Sequence, residues 1–234
     1  KPVDSSAAPD GPEVIEWNIK MILADSVWTD FGVTGQGIVL ANIDTGVQYD
    51  HPALVQQYRG NLGGGSFDHN YNWLDPYEQC PSSGTVPCDP GGHGSHTMGT
   101  MVGSDDPTSP ISATNAIGVA PGAKWIACKG GDEVSGYLLN AELIECAEWI
   151  LAPWDLTGAN PDPAMRPDAV NNSWGGGQAQ WWYNQAIYAW RAAGIWPSFS
   201  NGNDGPSCGT AGDPGEMDNA ISAGATSSTD LIAS

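Results

Sequence analysis

Basic residues are scarce in this sequence: seven lysines and arginines stand against 27 aspartates and glutamates, which gives a formal charge of −20. Such a charge disfavours nucleic acid and anionic membranes as partners, because their phosphate groups would be repelled. Long apolar runs are also missing, and none approaches the ~20 residues of a membrane-spanning helix. We therefore predict a protein that contacts neither nucleic acid nor a membrane, and whose acidity suits a salty or extracellular setting.

Motifs for nucleotides and zinc are absent as well. No Gly-x-Gly-x-x-Gly follows a predicted strand and no phosphate-binding loop occurs, so nucleotide binding has little support. No Cys-x-x-Cys spacing occurs, which argues against zinc. The five cysteines instead favour an oxidising compartment. Two pairs could be bridged or reduced, and one cysteine is left over: Cys80 with Cys88, Cys128 with Cys146, and Cys208.

Strands and helices alternate along most of the chain. Its 31 glycines and 18 prolines predict many turns, while 11 tryptophans need a core and argue against disorder. The predicted elements are helix 21–31, strand 38–43, helix 93–102, strand 124–128, helix 139–150, strand 169–174, helix 182–193, and strands 195–200 and 220–225. This order predicts an α/β fold: a doubly wound, mostly parallel sheet with helices on both faces.

The same pattern predicts one domain over residues 20–234, preceded by an N-terminal arm at residues 1–19 that is rich in proline, serine and aspartate. Residues 56–92 are loop-rich, and we interpret them as an insertion rather than a separate domain. No internal repeat is present.

Three polar residues are expected at one edge of the sheet. Asp44 ends a predicted buried strand, His93 lies between glycines at a helix start, and Asn203 lies in a glycine-bracketed turn. Each alone would more often be structural: a turn cap, a loop histidine or a turn residue. Together they offer a carboxylate, a base and an oxyanion donor, as a serine hydrolase requires. A metal pair on His93 and His96 is the weakest alternative, because no third ligand has convincing spacing, although Asp89 is close; we expect no metal there.

Five stretches resemble the subtilisin-like serine peptidases, and they occur in the same order. They are Ile43-Asp44-Thr45-Gly46-Val47 with His51-Pro52, residues 93–100, Gly118-Val119-Ala120-Pro121, Asn172-Ser173-Trp174-Gly175, and Gly202-Asn203-Asp204-Gly205. The resemblance covers about residues 20 to 230. Longer inserts around residues 60–92 and 152–167 resemble the bacillopeptidase-F type of secreted bacterial enzyme.

The resemblance implies a secreted serine endopeptidase that acts on proteins or peptides. Asp44 would orient the base, His93 would act as general base and acid, and Asn203 would donate to the oxyanion. Residues Ser173, Trp174 and Gly175 would form one wall of the primary specificity pocket. Ser135 and Gly136 would lie on the opposing edge, where a substrate peptide adds as a strand.

The chain departs from the family pattern at its nucleophile. No Gly-Thr-Ser triplet occurs in it, and Gly209-Thr210 is followed by Ala211. We expect a nicked or truncated enzyme whose serine lies on a C-terminal fragment, so that this chain alone is inactive. A non-catalytic scaffold that binds peptides is the alternative.

The cofactor requirement is left unknown, although calcium is a candidate. Ala53 follows His51-Pro52, and Asn115-Ala116-Ile117 runs straight into Gly118. We therefore expect the family's strongest calcium site to be absent, which leaves acidic loops such as Asp105-Asp106 open to calcium.

Overall fold

A six-stranded, fully parallel sheet lies at the centre of the computed structural model, which describes residues 14–106, 115–131 and 137–232. Residues 1–13 of the predicted N-terminal arm therefore lie outside the described residues. The elements, in chain order, are β1 (Val14–Ile15), α1 (Trp17–Met21), α2 (Ala24–Phe31), β2 (Val39–Asp44), β3 (Asn61–Gly63), β4 (Ser66–Phe67), β5 (Trp73–Leu74), α3 (His93–Val102), β6 (Asn115–Ala116), β7 (Lys124–Lys129), α4 (Asn140–Leu151), a 3₁₀ turn (Pro163–Met165), β8 (Ala169–Asn172), α5 (Asn184–Ala192), β9 (Trp196–Ser200) and β10 (Ile221–Ala223).

The central strands are buried on both faces. The strand order is β10-β9-β8-β2-β7-β5, and β2 pairs with β7 from Val39–Lys124 to Asp44–Lys129. Alternate residues of β7 face opposite sides: Ile126 packs with α4 and α5, whereas Trp125 packs with α3. Helices thus cover both faces, which is why these strands are nearly continuous apolar runs. The predicted doubly wound α/β fold is confirmed.

The structure departs from the predicted pattern at residues 21–31 and in the region 56–92. Residues 21–31 do not form one helix, because Leu23 adopts a left-handed backbone (φ 60°) that divides α1 from α2. The loop-rich region 56–92 supplies a strand of the main sheet, since β5 pairs in parallel with Ala127 and Cys128 of β7. Trp73 on β5 is buried to 1% exposure, so this region also contributes to the core.

The buried face of α5 is also displaced from the predicted one. The helical spacing of Trp182, Ala186, Ala189 and Ala193 in the sequence predicts the core face, but the fully buried side chains are those of Tyr183, Ile187 and Trp190. The large side chains define the core face because they bury the most apolar area. For α4, the helical spacing of Leu139, Leu143, Cys146 and Ile150 predicts the buried face; the last three are buried, whereas Leu139 precedes the helix and is 47% exposed.

Both candidate cysteine pairs are disulfides in the structure. Cys80 and Cys88 close a loop with Cα atoms 5.6 Å apart, and Cys128 and Cys146 join β7 to α4 with Cα atoms 5.7 Å apart. Cys208 is an exposed free cysteine. Within the described residues, no helix is both long enough and apolar enough to cross a membrane.

Candidate active site

Asp44 is the last residue of β2, and its carboxylate is held by three donors. The side chain is 3% exposed. Its Oδ1 accepts hydrogen bonds from the backbone N–H of Thr45 at 2.7 Å and from Nδ1 of His93 at 2.6 Å. Its Oδ2 accepts from the Thr97 hydroxyl at 3.2 Å. The carboxylate is therefore fixed at the carboxyl end of a central strand, where ligands of open α/β sheets gather.

His93 is the first residue of α3, and its ring faces the solvent side of the same edge. The side chain is 54% exposed. Because an ionised carboxylate only accepts hydrogen bonds, the ring nitrogen Nδ1 must carry the proton that Asp44 receives. The other nitrogen, Nε2, is then the basic one in the neutral ring. This arrangement is the one in which an imidazole can take a proton from a hydroxyl.

The close approach of α3 to β2 depends on glycine. A Cβ at Gly94 would lie 2.0 Å from the carbonyl oxygen of Gly46 and 3.1 Å from Cβ of Asp44. Behind this contact, the buried Asn42 donates to the carbonyl of Gly94 at 3.1 Å and accepts from Asn171 at 2.9 Å. The glycine and the asparagine together set the distance between the strand and the helix.

A cleft of about 840 Å³ opens over this pair. It is lined by most of the residues that the sequence singled out: Asp44, His93, Ser173, Trp174, Gly175 and Asn203. Asn203 is exposed in the turn that follows β9. Ser135 and Gly136, the predicted opposing edge, lie outside the described residues. The cleft therefore brings a carboxylate, an imidazole and a side-chain amide to one surface.

Trp174 lines both this cleft and a smaller pocket of about 330 Å³, as do Leu138, Gly175 and Gly176. Strand β8 ends at Asn172, so the predicted strand 169–174 was too long and Trp174 lies in the segment beyond it. Its ring packs edge-on against Tyr183 at 5.1 Å and Phe199 at 5.8 Å. The Trp174 Nε1 atom is buried and has no hydrogen-bond partner among the residues that the structure describes. Trp174 thus contributes an aromatic side chain to both pockets.

Sequence reasoning missed the groups that support the acid and the base. Thr45, Thr97 and Asn42 hold Asp44 or the start of α3, and Asp89, which the sequence suggested only as a possible third metal ligand, bonds to both segments. The only sequence signal for Thr45 and Thr97 was their proximity to Asp44 and His93 along the chain.

Metal ligation has no geometric support at this site. In the parts of the chain that the structure describes, no three His, Cys, Asp or Glu residues are grouped so that they could hold a metal ion. In the alternative pair of His93 and His96, Nδ1 of His93 is already engaged by Asp44. Calcium at other acidic loops stays a prediction.

Comparisons with known proteins agree with this geometry. The model of the subtilase family matches residues 35–234. The chain is 43% identical over 228 residues to Bacillopeptidase F of Bacillus subtilis strain 168, covering 94% of this chain and 15% of that protein. It is 33% identical over 211 residues to the Minor extracellular protease Vpr of the same strain, covering 87% of this chain and 22% of Vpr.

A third relative is the Major intracellular serine protease of the same strain, 30% identical over 176 residues, which covers 74% of this chain and 43% of that protein. The chain thus spans less than half the length of these curated relatives. The family match covers most of the chain, and the paired Asp44 and His93 lie within it. The chain therefore belongs to the subtilase family of subtilisin-like serine peptidases and is bacillopeptidase-F-like.

Proposed function

We propose that this chain carries the acid, the base and the oxyanion donor of a serine endopeptidase. The observation that carries the proposal is the 2.6 Å hydrogen bond between His93 and Asp44 at the floor of a cleft that Asn203 also lines. Nε2 of His93 would take the proton of a serine hydroxyl as its oxygen attacks the peptide carbonyl, and would return it to the leaving amine. Asp44 would hold the imidazole, and the amide of Asn203 would donate to the oxyanion.

The serine would come from a segment outside residues 1–234, because no Gly-Thr-Ser triplet occurs within them. We place the peptidase domain described here at residues 20–234. Two features support the packing of a further segment against it. Strand β10 stands at one end of the described sheet order, and the nearby Leu231 and Ile232 are 67% and 73% exposed. A cavity of about 650 Å³ is lined by Ile232 and by the turn that contains Asn203.

Proteins or peptides are the proposed substrates, with Ser173, Trp174 and Gly175 as one wall of the primary specificity pocket. The aromatic surface of Trp174 would favour large apolar side chains, and Ser135 with Gly136 would add the substrate as a strand. We place the enzyme outside the cell, which the −20 charge and the two disulfides support. Among the relatives, Vpr is named an extracellular protease and another is named an intracellular one.

The test is to extend the chain with its own coding sequence beyond Ser234 and to treat the product with a fluorescent serine-directed phosphonate. We expect covalent labelling of the extended protein and none of residues 1–234 alone. Matched His93→Ala and Asp44→Asn variants of the extended protein should label far more slowly. A folded, extended protein that resists labelling would contradict the proposal.

A peptide-binding scaffold without catalysis is the second candidate, favoured by the formed cleft in a chain that lacks the triplet. Calorimetric titration of residues 1–234 with extended peptides would detect binding, and intact-mass analysis of the natural protein would detect a co-purifying fragment. A single species of about 24.4 kDa that binds peptides would favour the scaffold.

A further inference from the structure

The carboxylate of Asp89 bonds to both segments that carry the acid and the base. Its Oδ1 accepts from the Thr45 hydroxyl at 2.7 Å and from the backbone N–H of Gly92 at 2.9 Å. Its Oδ2 accepts from the backbone N–H of Ser95 at 2.7 Å. The Asp89 carboxylate thus joins Thr45, which follows Asp44, to Gly92 and Ser95, which lie before and after His93.

Thr45 passes this connection on to Asp44 itself. Its hydroxyl donates to Asp89 and accepts from the backbone N–H of Gly94 at 2.9 Å, while its own N–H donates to Oδ1 of Asp44 at 2.7 Å. The direction of each bond is fixed, because a backbone N–H can only donate and an ionised carboxylate can only accept. A side chain at position 45 must therefore both donate and accept, which serine can do and valine cannot.

A capping role alone does not account for these contacts. Asp89 does satisfy donors in the first turn of α3, where a negative charge is favourable. The bond to Thr45 joins residues 44 positions apart along the chain, and the same Thr45 hydroxyl accepts from the backbone N–H of Gly94 at the start of α3. The bond holds the end of β2 at a fixed distance from α3, and the hydrogen bond between Asp44 and His93 requires that distance.

We propose that Asp89 is a positioning residue that, through Thr45, keeps the imidazole of His93 in hydrogen-bonding register with Asp44. The relevance of this role to catalysis rests on the function proposed above, whereas the geometric coupling does not. Asp89 touches neither reacting atom, so its loss should loosen the pair rather than remove a catalytic group.

The test uses proton NMR of residues 1–234 with ¹⁵N-labelled histidine, because the Nδ1–H of His93 bonded to Asp44 should give a far-downfield resonance. We expect Asp89→Asn and Thr45→Val to lose or broaden this resonance. Thr45→Ser and a control at the exposed Asp218, Asp218→Asn, should keep it. Circular dichroism establishes that each variant is folded, and if Asp89→Asn fails to fold, the Thr45→Val and Thr45→Ser pair decides.

An unchanged resonance in the folded variants Asp89→Asn and Thr45→Val would overturn the proposal. In the extended protein, Asp89→Asn should lower kcat by about 10²-fold with KM retained, as expected for a misplaced catalytic group. If the extended wild type is itself inactive, the proposed function fails while the NMR comparison still decides the role of Asp89.

Discussion

The α-carbon of Gly94 lies so close to the carbonyl oxygen of Gly46 that no side chain fits between them. A Cβ built there meets the oxygen at 2.0 Å, well below any real contact. Gly94 directly follows His93, and Gly46 lies two residues after Asp44. The distance between the base and the acid is thus set by two backbones in contact.

Gly94→Ala should therefore destabilise the protein, and Gly99→Ala should not. A methyl group at Gly94 must push β2 and α3 apart, and we expect the free energy of unfolding to fall by about 3 kcal/mol. Gly99 lies on the same helix with open space around its Cβ position, so alanine there should add up to about 1 kcal/mol from helix propensity. Urea denaturation measures both changes, and equal effects would contradict this prediction.

Asn203→Ala in the extended protein should lower kcat by about 10²–10³-fold and leave KM nearly unchanged, because an oxyanion donor acts mainly in the transition state. Steady-state hydrolysis of a peptide substrate measures both constants. Asp204→Asn, in the same turn and lining the same cleft, is the matched control and should change kcat little. A rise in KM at constant kcat would instead make Asn203 a ground-state binding residue.

Alkylation should distinguish Cys208 from the other four cysteines. In denaturant without reductant, iodoacetamide should add once, at Cys208, because the remaining cysteines form two disulfides. After reduction it should add to all five. Intact-mass measurement counts the added groups in both experiments. A Cys208→Ser variant should show no addition before reduction. Three or more additions without reductant would contradict the pairing.

The stability of the protein should decline in mild acid because of His69. Burial lowers the pKa of His69 below its ordinary value of 6.5, and the charge of Asp68 only partly opposes this. The unfolded chain therefore binds a proton at this histidine near pH 6.5, whereas the folded protein binds it only at lower pH. The free energy of unfolding consequently falls as the pH drops below about 6.5. The bond between the Tyr58 hydroxyl and Nδ1 of His69 lies in the same aromatic cluster.

His69→Gln should flatten this decline, as measured by urea denaturation between about pH 5 and pH 7. His96→Gln, at an exposed position of α3, is the control and should decline as the wild type does. The assignment to His69 would be wrong if His69→Gln and the wild type lost stability in parallel.

Strands and helices with long, continuous residue patterns were predictable from the sequence. Very short strands, and contacts between residues far apart along the chain, were not. Strand β2 follows from a nearly continuous apolar run, and α3 follows from its flanking glycines and small residues. Strand β5 has two residues, too few for any periodicity, and it forms only because β7 presents an edge to it. Propensity likewise could not show that Leu23 breaks the first helix, since leucine favours helices and seldom adopts the left-handed backbone found here.

The candidate site shows the same division. Asp44, His93 and Asn203 were recognisable because each lies in a motif a few residues long. The role of Asp89 was not, because its bond to Thr45 joins residues that are adjacent only after β2 and α3 have packed. Ordinary side chains that connect two segments carry no local signal.

The two edges of the sheet differ. At one edge, Trp73 and Leu74 of β5 pair with β7, and Tyr58 forms an isolated bridge to Trp125 of β7. At the other edge of the strand order lies β10. An edge strand recruits further strands through its unpaired backbone donors and acceptors, and a very short edge strand offers few of them. In residues 1–234 alone, strand addition from a second copy should consequently be easier at β10 than at the two-residue β5.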